Sequence, residues 1–161
     1  MNPPRRILLV EDEADVAEML QFFLQPRGYD FLHAADGATA LHLIWQRMPH
    51  LILLDTILPD TDGIDVCLRL RRTPCTAHIP IIFLTRRSSR HERLTAWAMG
   101  ADDFIAKPFD PEELLLRVRN SINRVEQSGL VDAPTGLPGP AATRQYLSLA
   151  RADPDLATIE L

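Results

Sequence analysis

Apolar and polar positions alternate in blocks along this chain, and each pair of blocks predicts one strand followed by one helix. Several apolar runs are continuous, which is typical of strands that are buried on both faces of a parallel sheet. Turn residues separate each run from the next segment. The predicted strands are Ile7–Val10, Tyr29–Ala34, Leu51–Leu54, Ile79–Leu84 and Phe104–Ala106.

Between these runs, apolar residues recur at helical spacing, and capping or breaking residues mark the helix ends. Asp36 and Asp110 are predicted N-caps, and Ser89 with Glu92 has the S-x-x-E spacing of a capping box. Helix ends are expected near Pro26 and Gly28, Pro49, Pro74 and Gly100. Five strands alternating with five helices predict an α/β fold with right-handed crossovers, a parallel sheet and helices on both faces.

Composition narrows the class of protein. The chain has 161 residues, of which 46% are hydrophobic and 24% charged, as expected for a soluble globular protein. The net charge of −5 gives no reason to expect nucleic-acid binding through a basic surface. Cys67 and Cys75 are too few for a disulfide framework, so a cytoplasmic location is expected. The first apolar run is too short for a signal peptide or a membrane span.

Polar residues follow four of the predicted strands directly. They are Glu11 and Asp12, Asp55, Thr85, and Lys107. Because parallel strands point their carboxyl ends to one edge of the sheet, these side chains should converge there. Clustered carboxylates repel one another, and hard oxygen ligands suit Mg²⁺. The alternative for any one of them is an ordinary turn former in a strand-to-helix loop.

The motifs around these positions resemble the response-regulator receiver domain of two-component signalling. The resemblance covers about Arg5 to Glu126. It rests on the following stretches: Leu9–Glu13, Leu54–Asp55, Pro59, Asp62–Gly63, Leu84–Thr85 and Gly100–Phe109. It implies a flavodoxin-like, doubly wound, five-stranded sheet of order 2-1-3-4-5.

The resemblance also implies a role for each site residue. Asp55 would accept a phosphoryl group from a sensor histidine kinase or a phosphotransfer protein. The Mg²⁺ ligands would be Asp12, Asp55 and the Ile57 carbonyl, with Glu11 acting through water. Binding of the phosphoryl group and switching would involve the remaining positions, which are Thr56, Thr85, Phe104 and Lys107. For Phe104, a plain core aromatic is the alternative.

Two positions depart from the usual receiver pattern. Arg86 follows Thr85, where receivers usually carry a small residue. A long cation there could slow attack by water or hinder small phosphodonors, or it could simply extend into solvent. Glu11 stands where Asp is commoner, which leaves Mg²⁺ binding in place.

The last part of the chain is predicted to be separate from the receiver, which would span residues 1–127. Residues 128–161 begin with a linker rich in Gly and Pro. Residues 131–140 resemble the opening of a GGDEF (diguanylate cyclase) domain, although a linker with chance turn residues is an equal alternative. Because the nucleotide-binding signature is absent from this sequence, no cyclase activity is expected of it.

Two other classes of function compete with a phosphorylation switch. A flavodoxin-like carrier or enzyme would need a Gly-rich or hydroxyl-rich loop after the first strand to bind phosphate. Glu11 to Glu13 are acidic and would repel phosphate unless a metal intervened. A docking module independent of phosphorylation would not need Asp12, Asp55, Thr85 and Lys107. The chain is therefore expected to be a phosphoacceptor and not an enzyme.

Six charged residues predict a dimer surface. They resemble the set through which DNA-binding-type receivers pair by the fourth helix, fifth strand and fifth helix: Arg93, Asp102, Asp103, Glu113, Arg117 and Arg124. Across a two-fold axis, Arg93 would meet Glu113, Asp103 would meet Arg117, and Asp102 would meet Arg124. The alternative is a solvated face with pairs within one helix. A weak homodimer that tightens on activation is expected.

Overall fold

The computed structural model describes residues 3–86 and 90–129, and within them five strands alternate with five α-helices. The strands are β1 (Arg6–Val10), β2 (Asp30–Ala34), β3 (Leu51–Asp55), β4 (Ile81–Thr85) and β5 (Asp103–Ala106). The helices are α1 (Ala14–Leu24), α2 (Gly37–Arg47), α3 (Gly63–Arg72), α4 (Arg90–Ala98) and α5 (Pro111–Gln127). The sheet is parallel throughout, with the order β2-β1-β3-β4-β5. The predicted fold class is confirmed.

Two hydrophobic clusters hold the sheet between its helices. Alternate residues of β1 face opposite clusters, so that Ile7 and Leu9 pack with α1 and α5, whereas Leu8 and Val10 pack with α2, α3 and α4. β3 and β4 are buried along their whole length. Their continuous apolar sequence is therefore explained by helices on both faces. Asp55, the last residue of β3, is the point at which a buried strand opens onto the sheet edge.

Helix starts follow the predicted caps where the structure describes them. The Asp36 carboxylate accepts from the Thr39 amide at 2.7 Å, and that of Asp110 accepts from the Glu112 amide at 2.9 Å. Ser89, the predicted N-cap of α4, lies outside the described residues, as does the tail from residue 130 onward. The resemblance of the tail to a GGDEF opening and the division at residue 128 therefore stay predictions.

Several strand boundaries differ from the prediction by one or two residues. β1 begins at Arg6, one residue before Ile7, while β3 and β4 each end one residue later than predicted, at Asp55 and Thr85. β2 begins at Asp30, one residue after the predicted Tyr29, and β5 begins at Asp103, one residue before Phe104. β4 begins at Ile81 and not at Ile79. Pro80 lies just before β4, where it has no amide hydrogen to contribute but its carbonyl accepts from the Ile52 amide at 3.0 Å. No helix among the described residues has the length and apolar character needed to span a bilayer.

Candidate functional site

The carboxyl ends of β1 and β3 bring three acidic side chains together. Carboxylate oxygens of Glu11, Asp12 and Asp55 all lie within 4.8 Å of one another. β1 and β3 are direct neighbours, with Val10 opposite Leu54, so the residues that follow them must share one edge. Glu11 is fully buried and Asp12 is exposed. The cluster is therefore open on one side, and its oxygen ligands fit a hard divalent cation that keeps several waters.

Lys107 links this cluster to the end of β5. Its ammonium nitrogen donates to Asp55 Oδ2 at 3.1 Å and also forms an ion pair with Glu11. The Lys107 amide donates to the Thr85 carbonyl at 2.7 Å, which fixes the lysine beside the end of β4. Its side chain is only 7% exposed and that of Asp55 11%. A buried cation thus touches both carboxylates directly.

Burial and neighbouring charge shift the ionisation of this pair. Desolvation raises the pKa of Glu11 to about 7, against the hydrogen bond from Lys107, which lowers it. Burial opposes the charged form of Lys107, but the hydrogen bond that Lys107 donates to Glu11 and the charge of Asp55 outweigh it, so the pKa of Lys107 is raised. The lysine is therefore held as a cation, and it compensates the carboxylates that face it.

The loop after β3 is held against the start of α2. The Ile57 amide donates to Asp55 Oδ1 at 3.1 Å, which orients the carboxylate. The Asp60 carboxylate accepts from the amides of Gly37 and Ala38 at 2.8 and 3.0 Å, and these two bonds lower the pKa of Asp60. Asp60 thus joins this loop to the start of α2. Sequence reasoning treated it only as part of a turn, since the partner amides lie 22 and 23 residues away.

The other predicted switch residues lie around the same edge. Thr85 is buried at the end of β4, and its hydroxyl accepts from the Thr56 hydroxyl at 3.2 Å. Phe104 lies opposite Phe83 in β4 and is half-buried against the cluster beneath α2, α3 and α4. The structure therefore places these residues as expected of the motif, while their switching roles stay predictions.

Arg86 reaches across this edge and does not simply extend into solvent. Its guanidinium forms an ion pair with the carboxylate of Glu13, which follows β1. The side chains are 69% and 38% exposed, respectively. Glu13 was not among the predicted site residues, because nothing in the sequence indicates which acid, out of many, Arg86 would contact.

Four of the six residues of the predicted dimer surface form ion pairs within the chain. Arg117 binds Asp103 at 2.7 Å and Glu113 at 3.1 Å, and the latter is the local i, i+4 pair. Asp102 binds Arg71 at 2.6 Å and accepts from the Ile81 amide at 2.8 Å. The remaining members, Arg93 and Arg124, are exposed. Pairing of two copies by this surface stays a prediction. It would require Asp102 either to break its ion pair with Arg71 or to bind Arg71 and Arg124 of the second copy together.

Comparisons with known proteins agree with this geometry. A family model described as the response regulator receiver domain matches residues 7–119. The probable transcriptional regulator ycf27 of Porphyridium aerugineum is 41% identical over 76% of this chain and 50% of its own length. The DNA-binding dual master transcriptional regulator RpaA of Synechocystis is 40% identical over 76% of this chain and 51% of its own. The chain thus spans about half the length of these curated relatives.

A solved structure shows the same fold. The putative response regulator from Chloroflexus aurantiacus is 39% identical, with a TM-score of 0.72, over 75% of this chain and 99% of that one. The residues that the family model matches, 7–119, include the acidic cluster and Lys107.

Proposed function

The chain belongs to the response regulator receiver domain family, and from that premise we propose that Asp55 accepts a phosphoryl group from a sensor histidine kinase or a phosphotransfer protein. The observation that carries this proposal is the contact of Lys107 with both Asp55 and Glu11 in an acidic cluster at the end of β3. The chain acts as a phosphoacceptor in a signalling relay and not as an enzyme with its own substrate.

The reaction transfers a phosphoryl group from an atom of the donor to a carboxylate oxygen of Asp55. A carboxylate oxygen of Asp55 forms a bond to phosphorus, while the bond from phosphorus to the donor atom breaks and the donor leaves with the electron pair. The approach of an anionic phosphoryl group to a carboxylate is opposed by charge repulsion. The ammonium of Lys107, 3.1 Å from Asp55 Oδ2, offsets that repulsion and the charge on the transferring oxygens.

The acidic cluster fits Mg²⁺, which we propose as the cofactor. Asp12 and Asp55 would hold it with the Ile57 carbonyl, and Glu11 would act through water. When bound, Mg²⁺ supplies positive charge beside the transferring phosphoryl oxygens. The exposed position of Asp12 supports this assignment, because it leaves room for the waters that Mg²⁺ retains.

Thr85 and Phe104 would transmit the effect of phosphorylation to the surface formed by α4, β5 and α5. A phosphoryl group adds roughly −1.5 to −2 of charge and strong acceptor oxygens. The Thr85 hydroxyl, now bonded to Thr56, can turn toward these acceptors. Phe104, on the strand beside Thr85, would follow into the space left behind. The surface that changes would then control an output domain.

Two alternative functions are supported less well. A flavodoxin-like carrier would bind an anionic cofactor beside the first strand. The acidic residues there, Glu11, Asp12 and Glu13, would repel it. In a docking module that is independent of phosphorylation, the buried contact of Lys107 with two carboxylates would have no role. Because burying charged groups costs free energy, such a contact is expected to serve a function.

Phosphorylation should depend on Mg²⁺. The protein would be incubated with acetyl phosphate in the presence of Mg²⁺ or of EDTA, and the intact mass would be measured before and after mild alkali. We expect a single, alkali-labile phosphoryl group with Mg²⁺ and almost none with EDTA. Equal labelling with EDTA, or an alkali-stable product, would contradict the proposed site.

We also predict a weak homodimer that tightens on activation. Light scattering with and without beryllofluoride and Mg²⁺ would measure the change for wild type and for Arg117→Glu. The reversal should remove the tightening, because a glutamate at position 117 would repel both Asp103 and Glu113. Arg119→Glu makes the same change of charge at another exposed position of α5 and should dimerise as wild type does. A monomer under both conditions at high concentration would exclude this surface.

A further inference from the structure

The ion pair between Arg86 and Glu13 joins the loops on either side of the strand that carries Asp55. Glu13 follows β1, and Arg86 directly follows β4. In the sheet, β1 and β4 lie on either side of β3, whose last residue is Asp55. A bridge between the two flanking loops therefore passes across the edge at which Asp55 lies.

The same two residues line a cavity that reaches the site. Its volume is about 450 Å³, and the rest of its wall is formed by residues of α1 and by Lys107, Pro108 and Phe109. Lys107 is almost fully buried and touches Asp55, whereas Arg86 and Glu13 are the more exposed members. The ion pair thus stands at the solvent side of the cavity, and Lys107 stands at the inner side.

We propose that the Arg86–Glu13 ion pair is a gate that restricts the access of small phosphodonors and of water to Asp55. This inference rests on the proposed phosphorylation of Asp55. Exposed ion pairs are weak and are screened by salt, so the gate opens often and retards access without blocking it. A protein donor that binds the surface around the gate would displace the pair with its own contacts.

One gate acts on both reactions because both use the same approach. Acetyl phosphate transfers its phosphoryl group when an Asp55 oxygen bonds to phosphorus and the phosphorus–oxygen bond to acetate breaks. Acetate then leaves with the electron pair. In hydrolysis, a water oxygen bonds to phosphorus, the bond to Asp55 breaks, and inorganic phosphate leaves with the protons of the water. In both, attack and departure are roughly in line, so acetate leaves and water enters on the side away from Asp55.

The test measures both rates in the full chain with Mg²⁺. Wild type, Arg86→Ala, Glu13→Gln and Arg86→Lys would be labelled with acetyl phosphate, and decay would be followed after removal of the donor. We expect Arg86→Ala to raise both rates about fivefold, a size appropriate to the loss of a weak exposed pair. Glu13→Gln should raise them less, since Arg86 remains, and Arg86→Lys should recover much of the wild-type behaviour.

Salt and a matched variant separate the gate from a general charge effect. Added NaCl should bring the wild-type rates toward those of Arg86→Ala, with little effect on the variant. Arg119→Ala removes an exposed arginine that belongs neither to the cavity wall nor to the acidic cluster, and it should leave both rates unchanged. The gate is wrong if Arg86→Ala leaves both rates unchanged. It is also wrong if Arg86→Ala lowers the labelling rate alone, which would mean that Arg86 attracts the donor. If neither wild type nor Arg86→Ala is labelled by acetyl phosphate or by a histidine kinase, the proposed phosphorylation fails and the gate fails with it.

Discussion

Replacing Asp55 with asparagine is expected to abolish phosphorylation by acetyl phosphate. The amide keeps the size of the side chain but lacks the anionic oxygen that bonds to phosphorus. It also removes one of the three carboxylates that gather within 4.8 Å, so Mg²⁺ affinity should fall as well. The intact mass after incubation with acetyl phosphate and Mg²⁺ measures the first effect, and a titration with Mg²⁺ measures the second.

Asp65→Asn is the matched control for this change. Asp65 is an exposed acid in the first turn of α3, and it lies outside the cluster of Glu11, Asp12 and Asp55. The variant should therefore be labelled at the wild-type rate and to the wild-type extent. If Asp55→Asn is labelled normally, the phosphoacceptor is another residue and the proposed function of this edge is wrong.

Much of the site could be predicted because it depends on strand ends. A continuous apolar run ending in an acid, as in Leu51 to Asp55, indicates both a buried strand and the position of the acid at the sheet edge. Parallel pairing then brings the ends of β1, β3, β4 and β5 together whatever the details of the loops. This is why the sequence alone predicts that Glu11, Asp55 and Lys107 lie near one another.

Contacts between loops could not be predicted in the same way. Asp60 binds the first amides of α2, and Glu13 binds Arg86, which is 73 residues away. Such pairs depend on the exact path of two loops, and the sequence supplies many acids that could serve equally. The same holds for Asp102, which resembles a dimer residue by motif but also binds Arg71 of α3. Local charge patterns identify candidates, and only the fold selects the partner.

Gly63→Ala is expected to destabilise the protein and to impair the site together. A Cβ at this position would lie 2.1 Å from the Asp55 carbonyl oxygen and 3.0 Å from the Thr56 Cα. Both are backbone atoms of the strand end that carries the phosphoacceptor, so neither can move without shifting it. Because Gly63 is the first residue of α3, alanine would gain less than the roughly 0.5–1 kcal/mol that it gains over glycine in a helix interior. Overpacking typically costs about 1–3 kcal/mol, and here it should reach the upper end because backbone is displaced.

Gly28→Ala separates this steric effect from a general effect of removing glycine. Gly28 has a φ of 91° and no heavy atom within 4 Å of an added Cβ, so alanine there meets backbone strain alone. Its cost should be about 1–2 kcal/mol, with no change in the phosphorylation rate per folded molecule. Gly63→Ala should lower that rate as well as the free energy of unfolding, because the Asp55 carbonyl and carboxylate belong to one residue. Urea denaturation and labelling of the folded fraction measure the two effects. If Gly63→Ala is as stable as wild type and is labelled at the same rate, the close approach of α3 to the end of β3 is not needed to position Asp55.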